Sequence, residues 1–296
     1  MITKFLHFVF SLMFGLTFTF GAFAETENIK QIVFALKPDK NPDAMQEERK
    51  SLEAFLSKEL QLPVKVIVPL SSAVILEGFA NGSIDLAFLG SLDMLNAIEQ
   101  KSARALLGVE FDGRTFYESY WVSLKDKPYK GVQDLRGKPI AFASRTSTSG
   151  YLIPHATLIK KGLLKEQEAP EKFFGKGNVW YGTGYVSAIE QVLQGQAEAA
   201  AISDYVINHD KYLTLDQKAK LKVIDRQGPI PTHVIAIRTS LEKKNQERLQ
   251  AALKKLNVSK NTTLRDKLFN STLAEIQQDR HLAGTKEALQ LTGAKL

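Results

Sequence analysis

The densest run of chemistry-bearing side chains in this sequence is Ala143-Ser144-Arg145-Thr146-Ser147-Thr148-Ser149-Gly150-Tyr151-Leu152-Ile153-Pro154. A short apolar strand ends at Ala143, and the hydroxyls of Ser147, Thr148 and Ser149 crowd the start of a helix expected to begin near Gly150. The first turn of a helix carries unpaired backbone N–H groups and the positive end of the helix dipole, so the junction suits an anion. Neutral hydroxyl donors can hold a desolvated oxyanion without forcing very slow release, and Gly150 permits close backbone approach. One hydroxyl would be an ordinary helix cap; three in succession favour an oxyanion site. Two weaker candidates share the setting. Gly90-Ser91 turns from a strand end into a helix, and Tyr181-Gly182-Thr183-Gly184-Tyr185 precedes the helix Val186–Gln194. Each is equally compatible with a plain turn.

Other chemistries are poorly served. Hydrolysis would need a nucleophile, a base and an orienting group, and Ser147 or Ser149 with His155 is the only local pairing. The chain has no cysteine, and its five histidines include no pair at metal-ligand spacing, so neither a metal nor a cofactor is expected. Lys and Arg number 39 against 32 Asp and Glu, a net charge of +7. The basic residues are scattered, with no run of four or more, which gives a nucleic-acid footprint poor support.

The candidates sit on a recognisable scaffold. With 296 residues, 44% hydrophobic and 24% charged, the chain has globular composition and room for one large or two medium domains. Ile32–Leu36, Val64–Val68 and Ile84–Leu89 read as strands. Between and after them lie helices, the first starting at Asn41-Pro42-Asp43, the second capped by Ser71-Ser72 and ended by Asn81-Gly82, the third starting near Leu92. This is the β-α-β-α alternation of parallel sheets with helices on both faces. Val122 and Leu124, Pro139–Ala143, Val179–Tyr181, Ala199–Ile202 and Val234–Ile237 continue the strands, and the chain reads helical from Leu241 onward. In such α/β folds, ligands bind beyond the carboxyl ends of the strands, which is where all three candidates fall.

The amino terminus carries an address. Lys4 precedes an apolar, acid-free stretch from Phe5 to Ala24 that ends in Ala22-Phe23-Ala24, a small-x-small cleavage pattern. The stretch approaches membrane-spanning length, but its glycines, the cleavage pattern and the acids that follow favour a signal peptide at 1–24, removed near Ala24. The expected destination is the periplasm.

Taken together, the chain resembles the phosphonate-binding family of periplasmic proteins that serve ABC importers. The matching segments are Phe34-Ala35-Leu36-Lys37-Pro38 with Asn41-Pro42, Gly82 through Gly90, Ser147 through Pro154, Gly195 through Asp204, and Ile230-Pro231 with the strand to Arg238. The resemblance implies a two-lobed α/β clamshell of type II-like form, each lobe a mostly parallel sheet flanked by helices. It implies an N-lobe of 25–118 plus 232–296 and a C-lobe of 119–231, with crossings near Tyr117–Leu124 and Gly228–His233. It further implies that Ser147, Thr148 and Ser149 hold phosphoryl oxygens, that Tyr117 is a pocket tyrosine, and that Gly90 and Ser91 supply donors from the N-lobe. Ser72 stands where members often have Tyr, and Tyr185 where they usually have His. Asp204, beside Tyr205, and His233 fall at positions where members carry carboxylates that grip an amine. The implied function is capture of a small phosphorus oxyanion, without catalysis, by a monomer that delivers it to an ABC permease. The alternative is a sensor that presents its closed form to a membrane kinase or cyclase.

Overall fold

The computed structural model describes residues 29–37, 45–111, 113–209, 212–269 and 271–294. The expected signal peptide and the Asn41-Pro42 helix start lie outside these residues.

Two mixed sheets organise the chain. The first has the order β11-β4-β10-β3-β1-β2. Its strands are β1 (Ile32–Ala35), β2 (Val64–Ile67), β3 (Leu86–Leu89), β4 (Ala103–Glu110), β10 (Val234–Arg238) and β11 (Thr272–Ala274). β1 pairs in parallel with β2 and β3, as the helical crossovers α1 (Gln46–Leu60) and α2 (Ser72–Asn81) require. β10 and β11 add antiparallel pairs. The second sheet runs β7-β6-β8-β5-β9. It comprises β5 (Phe116–Leu124), β6 (Ile140–Phe142), β7 (Val179–Tyr181), β8 (Ala199–Ser203) and β9 (Leu221–Pro231). β6 is parallel to β7 and β8, while β5 and β9 join as an antiparallel pair. Each sheet is therefore a parallel βαβ core extended by the antiparallel strands that carry the chain from one sheet to the other.

Helices cover both faces of each sheet. α3 (Ser91–Glu99) follows β3; a π-helical turn (Thr148–Leu152) and α4 (Ile153–Lys160) follow β6; short α5 (Glu171–Phe174) precedes β7. α6 (Tyr185–Leu193), α7 (Asp204–Asn208) and α8 (Leu215–Lys220) complete the second lobe, and α9 (Lys243–Lys254), α10 (Thr262–Phe269) and α11 (Gln278–Thr292) end the chain. Apolar clusters fill both faces of both sheets, with Phe34, Leu52, Leu107 and Leu253 in one and Trp121, Phe142 and Phe174 in another. Among the described residues, no helix is long and apolar enough to cross a membrane.

Three strands escape the periodicity reading. β4 and the amino-terminal half of β9 lack strict alternation, and β11 interrupts the region expected to be helical after Leu241, with only three residues paired to β4. A three-residue strand has no periodicity of its own and exists because β4 offers it an edge. The first passage between sheets falls between Glu110 and Phe116, ahead of the expected Tyr117–Leu124, because β5 pairs with β9 along its whole length. The two passages are tied together at Thr232, whose amide donates to Thr115 O (3.0 Å) and whose hydroxyl donates to Val109 O (2.5 Å).

α11 contacts both lobes. A cluster built from Leu92 of α3, Leu152, Ile153 and Ala156 at the start of α4, and Ile230 of β9 closes under Ala288 of α11. The carboxyl-terminal helix thus lies across the junction between the two sheets.

Candidate ligand-binding cleft

The hydroxyl run lies where its sequence placed it, at the carboxyl end of β6. There the chain enters a π-helix rather than an α-helix. Ser147 caps that turn, its Oγ accepting from Gly150 N–H (2.9 Å), and Leu152 N–H reaches back to Ser147 O (3.0 Å). Wide turns of this kind recur at functional sites. Gly150 is required for a reason other than ligand approach. A Cβ there would stand 2.4 Å from the Ala143 methyl and 3.2 Å from the Tyr185 ring. The glycine lets the turn pack against the strand end and the tyrosine beside it.

The three hydroxyls have different settings. Ser147 faces the cleft between the lobes. Ser149 is fully buried, and its Oγ lies 2.7 Å from the Tyr185 hydroxyl, while its carbonyl accepts from Ser119 Oγ (2.7 Å). Tyr117 reaches the same pair from β5, and its phenol is held well above the usual range, first by burial and then by the neighbouring Tyr185. Ser149, Tyr185 and Tyr117 therefore form a cluster of neutral hydroxyls from three elements. Each can turn its proton toward an anion.

Thr148 meets the other lobe. Its Oγ1 accepts from Leu92 N–H (3.2 Å) in the first turn of α3 and from Ser91 Oγ (3.2 Å). Ser91 in turn accepts from Thr285 Oγ1 of α11 (3.0 Å). With its acceptor capacity engaged, the Thr148 hydroxyl proton remains as its donor function. Gly90 lies against this contact, its missing Cβ 3.8 Å from Thr148 Oγ1. So Gly90 and Ser91 do meet the hydroxyl run across the junction, and Thr285, which nothing local in the sequence marks, anchors them.

Between the lobes opens a cleft of about 310 Å³. Ser144, Ser147, Thr183 and Tyr185 line one wall, and Lys37, Ser72 and Asp93 the other. Ser72 Oγ donates to Asp93 Oδ2 (2.9 Å). Burial raises the Asp93 carboxyl above its ordinary range, and Lys37 works against that rise. Lys37 also places its ammonium 3.3 Å from His233 Nε2. His233 stacks on Phe88 (5.1 Å between centroids) and Tyr117 (6.3 Å), and burial first, then Lys37, hold it well below the usual imidazole range. It is a half-buried ring beside the cleft, held between Phe88 and Tyr117.

Asp204 is not brought to this cleft. Its Oδ2 accepts from Glu118 N–H (3.1 Å), and it borders a separate hollow with Arg114 and His209. His155 is buried with its Nε2 donating to Glu168 O (2.7 Å), out of partnership with any serine. Lys37 and Asp93 were missed as site residues. The signal that would have found Lys37 is the strand-end rule itself, since it stands two residues beyond the carboxyl end of β1.

Comparison with known proteins adds to this geometry. The family model described as the periplasmic substrate-binding protein of phosphonate ABC transporters matches residues 34–281. The phosphate-import protein PhnD of Mycolicibacterium smegmatis is 26% identical over 215 residues, covering 71% of this chain and 67% of that protein. A probable ABC transporter phosphite-binding protein, PhnD1 of Prochlorococcus marinus, is 25% identical over 185 residues, 60% of each chain. The structure of PhnD1 from Prochlorococcus marinus in complex with methylphosphonate superposes with a TM-score of 0.76 at 19% identity, covering 90% of this chain and 99% of that one.

Proposed function

The chain belongs to the family of periplasmic substrate-binding proteins of phosphonate ABC transporters, and on that premise we propose that it captures a phosphorus oxyanion between its lobes for delivery to the permease of an ABC importer. The ligand class is phosphate, phosphite or a small alkylphosphonate. The family is one of binding proteins rather than enzymes, and the sensor alternative has no observation in its favour. In this reading the protein is exported, its signal peptide is removed near Ala24, and it acts as a monomer. The lobes are 25–118 with 232–296, and 119–231.

The observation that carries the reading is the convergence of neutral hydroxyls on the capped π-turn at one wall of the interlobe cleft. An oxyanion arriving there would take its first hydrogen bonds from Ser147 and Tyr185, which line the cleft, with Ser149 bonded behind Tyr185. Hydrogen bonds to an ionised acceptor are roughly twice as strong as neutral ones, and the buried setting strengthens them further. With Tyr117 of β5 already in the hydroxyl cluster, the N-lobe wall with Ser72 would then close on the ligand. The closed form gains population by these added contacts. No covalent step is involved.

A thermal-shift panel tests the reading. Phosphate, phosphite and methylphosphonate are offered beside sulfate and small organic acids, since a ligand that binds only the folded state raises the melting temperature. A rise with at least one phosphorus oxyanion and none with the organic acids is expected. No rise with any phosphorus oxyanion at millimolar concentration would overturn it.

A further inference from the structure

We propose that Lys37 sets the specificity of this cleft, favouring ligands that carry two negative charges and no amine. The inference rests on the oxyanion reading above. It goes beyond it, because that reading uses only neutral donors and would hold one phosphorus oxyanion much like another.

Among the described residues, the cleft is lined by two charged side chains, Lys37 and Asp93, both on the N-lobe wall. They are not equivalent to an incoming ligand. Asp93 is only 6% exposed and already accepts the Ser72 hydroxyl. Lys37 is half-buried at the end of β1, directly facing the wall that bears Ser147 and Tyr185. An ammonium has donors and no acceptor, so its contact with His233 makes Nε2 the acceptor and places the histidine proton on Nδ1. His233 is then fixed as a neutral ring and cannot serve as a second cation or as an anion. Its aromatic neighbours Phe88 and Tyr117 add no charge. Tyr185 and Tyr212 line the same cleft, and Asp93 interacts electrostatically with Lys37 from the same wall.

The consequences for ligand chemistry are direct. The cradle donors on the C-lobe side respond to each oxygen of the ligand, whereas a point cation on the opposite wall responds to net charge. A dianion gains from Lys37 on closure; a ligand with a pendant ammonium brings a like charge toward it. Of the two carboxylates that could receive such an amine, Asp93 already accepts the Ser72 hydroxyl and interacts with Lys37, and Asp204 is engaged elsewhere by the Glu118 amide.

Calorimetric titration of the purified protein with methylphosphonate and 2-aminoethylphosphonate decides the matter, using the wild type, Lys37→Met, Lys37→Arg and Ser147→Ala. The wild type is expected to bind methylphosphonate at least tenfold more tightly. Lys37→Met should weaken methylphosphonate about tenfold, leave the aminophosphonate unchanged or tighter, and so collapse the preference; Lys37→Arg should restore it. Ser147→Ala should weaken both ligands alike. An unchanged preference in Lys37→Met overturns the role given to Lys37 while leaving the oxyanion site standing. Binding that survives Ser147→Ala unaltered, or no binding by the wild type, overturns the site reading itself. A wild-type preference for the aminophosphonate also sinks the proposal.

Discussion

Removing a single oxygen tests the hydroxyl cluster most cleanly. In Tyr185→Phe the ring keeps its place against Tyr205, with which it makes an edge-on contact at 5.7 Å, so packing is conserved. The unliganded protein loses the 2.7 Å bond between the Tyr185 phenol and the buried Ser149. A neutral bond of this kind contributes about 0.5–1.5 kcal/mol, and a melting temperature lowered by roughly 2–4 °C is expected. In the liganded protein the phenol bonds an ionised oxygen instead, a contact worth about 1.5–3 kcal/mol. Affinity reports the difference between the two states, about 1–1.5 kcal/mol, or roughly a tenfold rise in Kd. Titration calorimetry on the variant, with phosphate and methylphosphonate, measures that rise, and the unliganded melt measures the first loss separately. A destabilised variant whose Kd stays within twofold of wild type would show that the phenol serves Ser149 alone. The reasoning that makes Tyr185 a ligand donor would then be refuted.

Two further outcomes follow from the geometry. Thr285→Val removes the hydroxyl that donates to Ser91 without changing volume at a fully buried position; it should cost about 1 kcal/mol in urea unfolding, and stability equal to wild type would mean the relay contributes nothing. His155, His233 and His281 are all held below the ordinary imidazole range, chiefly by burial. Their folded-state values lie under the unfolded one, so the unfolded chain binds more protons below about pH 6.5. Stability is therefore full above that pH and is lost as pH falls toward the folded-state values. The melting temperature should drop between pH 7 and pH 5, with a shallower slope in His233→Asn; a flat profile would contradict the buried neutral histidine. Asp93 and Asp204, raised by burial, act with the opposite sign in a lower window that opens near pH 4.

Ser147→Ala combined with Thr148→Ala is a poorer test of the same site. Ser147 caps the π-turn and Thr148 satisfies an amide of α3 across the junction. Lost caps cost about 0.5–2 kcal/mol, so that double variant confounds binding with stability. In Tyr185→Phe the stability loss comes from one identified bond and is measured separately in the unliganded melt.

What the sequence alone determined is the part of this protein that local physics controls. The apolar runs of β1, β3 and β6 specify buried parallel strands wherever they are placed. The hydroxyls of Ser147–Ser149 after β6 belong at a helix start because the first turn needs acceptors and caps. Both follow from residues a few positions apart. Tertiary structure decided everything that depends on residues far apart meeting. β11 is a strand only because β4 is beside it, and α11 is a bridge only because Leu92, Ile153 and Ile230 converge beneath Ala288. The same holds within the cleft. Lys37 becomes a neighbour of His233 across 196 positions, and Thr148 is turned from one of three equal hydroxyls into a contact with Leu92 across 56. Asp204, which the family resemblance puts beside the site, is held instead by one backbone amide of β5. Residue type and spacing state which donors are present; the packing of two sheets against a shared helix states which of them face the ligand.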